Sequence, residues 1–184
     1  NCEWSSDVCS SDLTSCVVPN MSAELVVGLR RCAEVLAHEL GLVDGLLHTQ
    51  FVANQNDFWL IELTRRCPGD LYSQLIELTT GYRYARSYVL PFLGQPVTDI
   101  VSSSPLQPIM RHTVTVKAEQ HFSYLHFRRA LSIERWVPLS LVGDPLKPSP
   151  FSRVGILFCN GLNQDDLAAI YELTLQRRLY EVRA

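Results

Sequence analysis

Residues 58–70 read FWLIELTRRCPGD, an apolar run that ends in a Pro-Gly loop, and the prediction of the fold starts from this stretch. A second apolar run, GLLHTQFVA at residues 45–53, precedes it, and the four residues NQND separate the two. Asn and Asp tolerate the left-handed backbone of tight turns, so the two runs predict a β-hairpin. Pro and Gly then end the second strand in a loop.

The end of the second strand carries polar side chains at alternate positions, Glu62, Thr64 and Arg66. Alternate residues of a strand share one face, and His48 and Gln50 have the matching spacing on the paired strand. Carboxylate and neutral oxygens suit Mg²⁺, and a guanidinium suits phosphate, so this face has the groups that phosphoryl transfer needs. A surface ion pair between Glu62 and Arg66, worth little energetically, is the simpler interpretation, and the residue pattern leaves both open.

Helices are predicted on both sides of the hairpin. SAELVVGLRRCAEVLAHELG (22–41) has one apolar face, with Ser22 as N-cap and Gly41 as the stop. LYSQLIELTTG (71–81) follows the loop, with Asp70 as a candidate cap, and YRYARSYVLPFLG (82–94) predicts a helix broken at its proline.

The remainder of the chain has mostly β character. The Pro/Ser-rich residues 95–108 predict a linker, and residues 109–184 predict a β-rich subdomain closed by a helix at 163–178, with Asn163 or Asp165 as cap. His112 is interpreted as an ordinary core or surface residue, and the arginine pairs 128/129 and 177/178 are interpreted as solvated charge. The fold class predicted from these elements is α+β.

Composition excludes several classes of protein. Hydrophobic residues make up 47% and charged residues 19% of the 184 residues, which is typical of a packed core. The net charge of −3 argues against a nucleic-acid surface, and no apolar run is long enough to span a bilayer. The six cysteines lack zinc-like spacing, so we expect reduced thiols in a cytoplasmic protein.

The first 13 residues have a different character. Residues 4–13, WSSDVCSSDL, resemble the in-frame translation of a common sequencing-adapter oligonucleotide. Such a segment is excluded from fold reasoning, and residues 1–13 are expected to be a disordered artefact. The chain is then expected to be a fragment whose genuine sequence starts at about residue 14.

The order of these elements resembles the ATP-grasp superfamily of carboxylate–amine ligases. In that family a helix and a Gly-containing turn lead to two strands, the second of which reads approximately [LF]-I-E-x-N-x-R before a Gly-rich loop, a helix and a Gly-Tyr pair. The matching stretches here are GLLHTQF (45–51), FWLIELTRRCPGD (58–70) and IELTTGY (76–82). The resemblance implies that residues 14–94 are the C-terminal part of an ATP-grasp domain and that residues 109–184 are an appended subdomain.

The resemblance also implies roles for individual residues. Glu62 matches the acidic residue that coordinates the metal ions on ATP, and Arg66 matches the arginine that holds the transferred phosphoryl group. Gln50 stands where the family usually has a second metal-binding Glu, and Thr64 where it usually has Asn. Each has a neutral oxygen for the metal, so the implied cofactors are ATP and Mg²⁺, held by Glu62, Gln50 and Thr64 with one negative charge fewer than usual.

The implied activity belongs to an ATP-dependent ligase that activates a carboxylate as an acyl phosphate and couples it to an amine, in the manner of amino-acid ligases. Its partners would be ATP and small-molecule carboxylates and amines, with no nucleic acid and no membrane. The family's upstream lysine and Gly-rich loop have no counterpart here, so this chain alone is expected to be inactive. Two alternatives stay open: a non-catalytic ATP-grasp relative that binds a nucleotide or a partner, and an ATP-grasp carboxylase.

Overall fold

The computed structural model of the chain describes residues 14–17, 21–54, 57–98 and 105–184. The adapter-like segment, the middle of the hairpin turn and most of the serine-rich part of the linker lie outside these ranges. The interpretation of residues 1–13 therefore stays a prediction.

The described residues form helices and short strands. The α-helices are α1 (Ala23–Glu39), α2 (Tyr72–Thr80), α3 (Tyr84–Val89) and α4 (Gln164–Leu175), with a 3₁₀ helix at Leu90–Leu93. The strands are β1 (Thr14–Cys16), β2 (His48–Ala53), β3 (Phe58–Thr64), β4 (Ile109–Val114), β5 (Gln120–His121), β6 (Tyr124–Phe127), β7 (Ser132–Pro138), β8 (Pro145–Leu146), β9 (Gly155–Asn160) and β10 (Tyr180–Arg183). Every strand pair among the described residues is antiparallel, and the mixture confirms the predicted α+β class.

The chain divides into two compact units. The first, Val18–Leu106, is called the hairpin unit here, and the second, which combines Asn1–Val17 with Gln107–Ala184, is called the sheet unit. Pairing of β1 with β4 groups residues 14–17 with the sheet unit, whereas residues 14–94 were predicted to form one region. The interpretation of the two regions as an ATP-grasp part and an appended subdomain stays a prediction.

The helices of the hairpin unit begin and end for local reasons. Ser22 is the N-cap of α1, where its Oγ accepts a hydrogen bond of 3.2 Å from the Leu25 N–H, and Gly41 follows the helix with φ 59°. Gly81 ends α2 with φ 71°, as predicted. The helix predicted after it ends at Val89 and continues as the 3₁₀ turn that contains Pro91, because proline cannot supply the N–H that an α-helix needs.

The sheet unit is built on a four-stranded sheet in the order β1-β4-β9-β7. One face of its central strands packs under α4, and the buried apolar side chains there include Met110, Val114, Leu157 and Ile170. Asn163 caps α4 by accepting a hydrogen bond from the Asp166 N–H, as the sequence predicted. Two-stranded ribbons, β6 with β10 and β5 with β8, complete the unit. None of the helices in the described residues is long and apolar enough to cross a membrane.

Candidate functional site

The register of the β2–β3 hairpin brings the predicted site residues together. Gln50 lies directly opposite Glu62, and His48 lies directly opposite Thr64. Residues directly opposite each other in an antiparallel pair share a face, so these four side chains lie on one side of the hairpin. A β-bulge at Ile61 shifts the register only beyond Gln50, so it leaves this end of the hairpin regular.

Arg66 lies two residues past the end of β3, and its side chain is exposed. Its Nη1 donates a hydrogen bond of 3.2 Å to the carbonyl oxygen of Cys67. The neighbouring Arg65 has a different partner. Its Nη2 donates a 2.7 Å hydrogen bond to the carbonyl oxygen of Asp44, and its guanidinium packs over Gly45. Arg65 therefore anchors the segment before β2, whereas Arg66 is the arginine whose charge acts on His48.

The Glu62 and Arg66 charges both act on the pKa of His48. Partial burial lowers the pKa of His48, the Glu62 carboxylate opposes that shift, and the Arg66 guanidinium adds to it. His48 is half-buried, while Glu62 and Arg66 are exposed. The neutral imidazole is therefore favoured between an accessible carboxylate and an accessible guanidinium.

The loop after β3 has an unusual backbone. Asp70 and Leu71 are consecutive non-glycine residues in the left-handed region, with φ 52° and φ 61°. Leu71 is the N-cap of α2 and its own side chain makes no capping hydrogen bond, so the prediction that Asp70 is the N-cap is wrong. Because the backbone at residue 70 is left-handed, the N-cap of α2 falls at residue 71, one position after the predicted one. Such conformations cost of order 1–3 kcal/mol each and occur often at functional sites.

Contacts with the following helices support this loop. Burial raises the pKa of the Tyr84 hydroxyl, and a hydrogen bond with the Cys67 side chain raises it further. Glu77, in the stretch IELTTGY, accepts a 2.9 Å hydrogen bond from the Ala85 N–H and so caps the first turn of α3. The loop is therefore tied to α3 through Tyr84, and α2 is tied to α3 through Glu77.

The donor atoms on the hairpin face are hard oxygens: the Glu62 carboxylate, the Gln50 amide oxygen and the Thr64 hydroxyl. Oxygen donors of this kind fit Mg²⁺, which also keeps several water ligands in most protein sites. Across the described ranges there is no group of three or more His, Cys, Asp or Glu residues that could hold a metal. A metal on this face would therefore depend on a single carboxylate and on neutral oxygens.

Sequence reasoning missed a cavity of about 620 Å³ in the sheet unit. His112, interpreted from sequence as an ordinary residue, is 3% exposed on β4 and lines this cavity. Arg177, interpreted as solvated charge, lines it as well. Arg129 does not line the cavity and instead forms an ion pair with Asp166 at 2.8 Å. The sequence contains no signal for this cavity, since its walls come from distant segments.

No protein-family model matches the sequence, and a comparison with curated proteins finds no match either. Solved structures do match. Over 93% of this chain the structure is similar to phosphoribosylglycinamide synthetase from Anaerococcus prevotii, with a TM-score of 0.71 and 12% identity. An L-amino acid ligase from Bacillus licheniformis matches 89% of the chain with a TM-score of 0.63 and 16% identity. A biotin carboxylase–beta-gamma-ATP complex from Campylobacter jejuni matches 92% with a TM-score of 0.53 and 15% identity.

These similarities concern the fold alone, and they support the relation to the ATP-grasp fold that the sequence resemblance predicted. The chain spans less than half of each neighbour, 45%, 42% and 39% of their respective lengths.

Proposed function

We propose that this chain supplies the metal- and phosphoryl-binding end of an ATP-dependent ligase that activates a carboxylate and couples it to an amine. The observation that carries the proposal is the hairpin register, which sets Gln50 opposite Glu62. Arg66 follows two residues after the strand ends, and its charge acts on His48 of the same face. The similarity in fold to an L-amino acid ligase supports the carboxylate–amine type of reaction.

Each residue on this face has a role in the proposal. Glu62 holds Mg²⁺, with the Gln50 and Thr64 oxygens as additional ligands, and the accessible Arg66 guanidinium holds the phosphoryl group during its transfer from ATP to the carboxylate. When bound, Mg²⁺ supplies positive charge to the phosphate oxygens. The hydrogen bond between Cys67 and Tyr84 supports the loop beside Arg66.

The reaction proceeds in two steps. The substrate carboxylate attacks the γ-phosphorus of ATP, which releases ADP and forms an acyl phosphate. An amine then attacks the acyl carbon, releases phosphate and gives an amide. Because the chain spans less than half of its structural neighbours, we assign the complete reaction to a longer protein that contains it. We further propose a cytoplasmic enzyme, since free cysteines such as Cys67 and Cys159 suit a reducing compartment.

A second candidate is a non-catalytic ATP-grasp relative that binds a nucleotide without turnover. The single carboxylate on the Gln50–Glu62 pair favours it, because one charge binds Mg²⁺ more weakly than two.

Calorimetric titration of the longer protein with Mg-ATP, followed by a phosphate-release assay with pooled amino acids, separates the two candidates. We expect nucleotide binding and phosphate release that depends on an acceptor. Tight nucleotide binding with no turnover on any acceptor would overturn the ligase in favour of the second candidate.

A further inference from the structure

The cavity in the sheet unit has the size of a ligand site. Its volume of about 620 Å³ lies within the range of roughly 300–1,000 Å³ that is usual for small-molecule pockets. It is bounded by the residues after β4, by the end of α4 and by the ribbon of β6 and β10. All of its lining residues belong to the sheet unit, so none of them belongs to the Glu62 face.

The charged residues that line this cavity are predominantly cationic. Four are basic and one is acidic, namely Lys117, Arg128, Arg177, Arg183 and Glu181. Glu181 forms ion pairs with both Arg128 and Arg183, and the hydrogen bond from Arg128 is the largest cause of its lowered pKa. Within the part of the chain that the structure describes, no carboxylate pairs with Lys117 or Arg177. These two cations are therefore available to an anionic ligand.

Another part of the cavity wall is a partly buried chain of hydrogen bonds. The Tyr180 hydroxyl accepts from the Thr115 N–H at 3.1 Å and lies 3.0 Å from His112 Nε2. On the other side of the ring, Nδ1 lies 2.7 Å from Thr14 Oγ1, which donates to Thr174 Oγ1 at 3.3 Å. This pattern assigns the Nδ1–H tautomer, in which the imidazole donates to Thr14 and accepts from Tyr180. The polar wall is therefore ordered before any ligand binds.

The backbone of Arg177 is a second unusual feature of the cavity. Its φ is 53°, and it lies just after the helix end, where glycine is the favoured residue. A non-glycine residue in this conformation costs roughly 1–2 kcal/mol. The side chain that occupies this position lines the cavity, and strained positions of this kind cluster at ligand sites.

We propose that this cavity binds a small anion bearing phosphate groups, held by Lys117 and Arg177. A guanidinium binds two phosphate oxygens at once and an ammonium binds as a point charge, so the pair suits a ligand with adjacent phosphates. The site is separate from the proposed ligase site and does not depend on that proposal.

Calorimetric titration of this chain with pyrophosphate tests the proposal. We expect binding at this cavity with an affinity at least about tenfold lower in Lys117→Ala and in Arg177→Gly. The glycine variant removes the charge and also the backbone strain, so it should be at least as stable as the unchanged chain in urea unfolding, which separates loss of binding from loss of folding. Arg178→Ala is the matched control, because Arg178 is adjacent in sequence but does not line the cavity, and it should bind as the unchanged chain does.

Three results would overturn the proposal. They are an absence of pyrophosphate binding, binding that Lys117→Ala and Arg177→Gly leave unchanged, and binding that citrate matches in affinity, which would show that phosphate is not the preferred group. Arg66→Ala distinguishes the two sites. It should leave intact the pyrophosphate binding that depends on Lys117 and Arg177, whereas loss of that binding in this variant would move the anion to the hairpin unit.

Discussion

Replacing Gln50 with Glu should make the stability of this chain depend on Mg²⁺. Gln50 lies directly opposite Glu62, so Gln50→Glu places two carboxylates face to face at the position where the chain now has one. Like charges directly opposite each other in a strand pair destabilise it, and a divalent cation between them reverses the effect. The variant therefore tests whether the geometry of this face can hold a metal.

The magnitude follows from the strand register. Side chains opposite each other have Cβ atoms about 5 Å apart, and two unit charges at that distance in water repel by about 0.8 kcal/mol. Water is the relevant medium because Glu62 is exposed. A magnesium dissociation constant on the order of 1 mM would add about 1.4 kcal/mol at about 10 mM Mg²⁺, which is enough to exceed the repulsion.

Urea unfolding of this chain and of Gln50→Glu, with MgCl₂ and with NaCl at matched ionic strength, measures both effects. The variant should be less stable than the unchanged chain in NaCl and should gain more from MgCl₂. Ala53→Glu is the matched control, because it adds the same charge at an exposed position on the same strand, opposite Phe58 instead of Glu62. If Gln50→Glu gains no more from Mg²⁺ than Ala53→Glu does, the hairpin face does not hold the metal.

Three further predictions concern the packing and the titratable groups. Gly161→Ala should destabilise the chain by about 1–3 kcal/mol in urea unfolding, because the new Cβ would lie 2.6 Å from the Leu167 backbone nitrogen. Gly69→Ala is the control and should be near neutral, since a Cβ there meets nothing within 4 Å. Equal effects of the two substitutions would contradict this packing. The pKa of His48 is lowered in the folded chain, so on acidification the unfolded chain takes up this proton first, below about pH 6.5. The free energy of unfolding should therefore fall between about pH 7 and pH 5, and it should fall less in His48→Gln. An unchanged pH dependence in this variant would refute the reasoning. Burial raises the pKa of the Cys159 thiol to about 12. Iodoacetamide should therefore label Cys32 and Cys67 well before Cys159 in the folded chain, which peptide mass spectrometry can follow. Equal labelling rates would contradict the burial of Cys159.

The hairpin and its neighbouring helices could be predicted because their signals are local. Ser22 and Gly41 mark the ends of α1 by cap chemistry, and the alternation of Glu62 and Thr64 correctly places them on one face. Asp70 was wrongly predicted as a cap because its left-handed backbone depends on the tertiary support of the loop, which no local pattern records.

The missed elements depend on distant partners. β1 and β10 are three and four residues long, too short for a period to be recognised, and they are strands because β4 and β6 pair with them. The predicted helix at 163–178 ends at Leu175 for a similar reason, since Arg177 adopts a left-handed backbone that leads into β10. The cavity combines Thr14, His112 and Tyr180, which only the folded sheet brings together.

The central claim is that Glu62 and Arg66 form the metal and phosphoryl end of an ATP-using site, and ATP hydrolysis by the longer protein tests it most directly. Glu62→Ala and Arg66→Ala should each lower the rate by about 100-fold or more, as is usual when a group that stabilises transition-state charge is removed. Glu34→Ala and Arg30→Ala change the same residue types at exposed positions of α1 and should leave the rate unchanged. Near-normal hydrolysis in either the Glu62 or the Arg66 variant would contradict the claim.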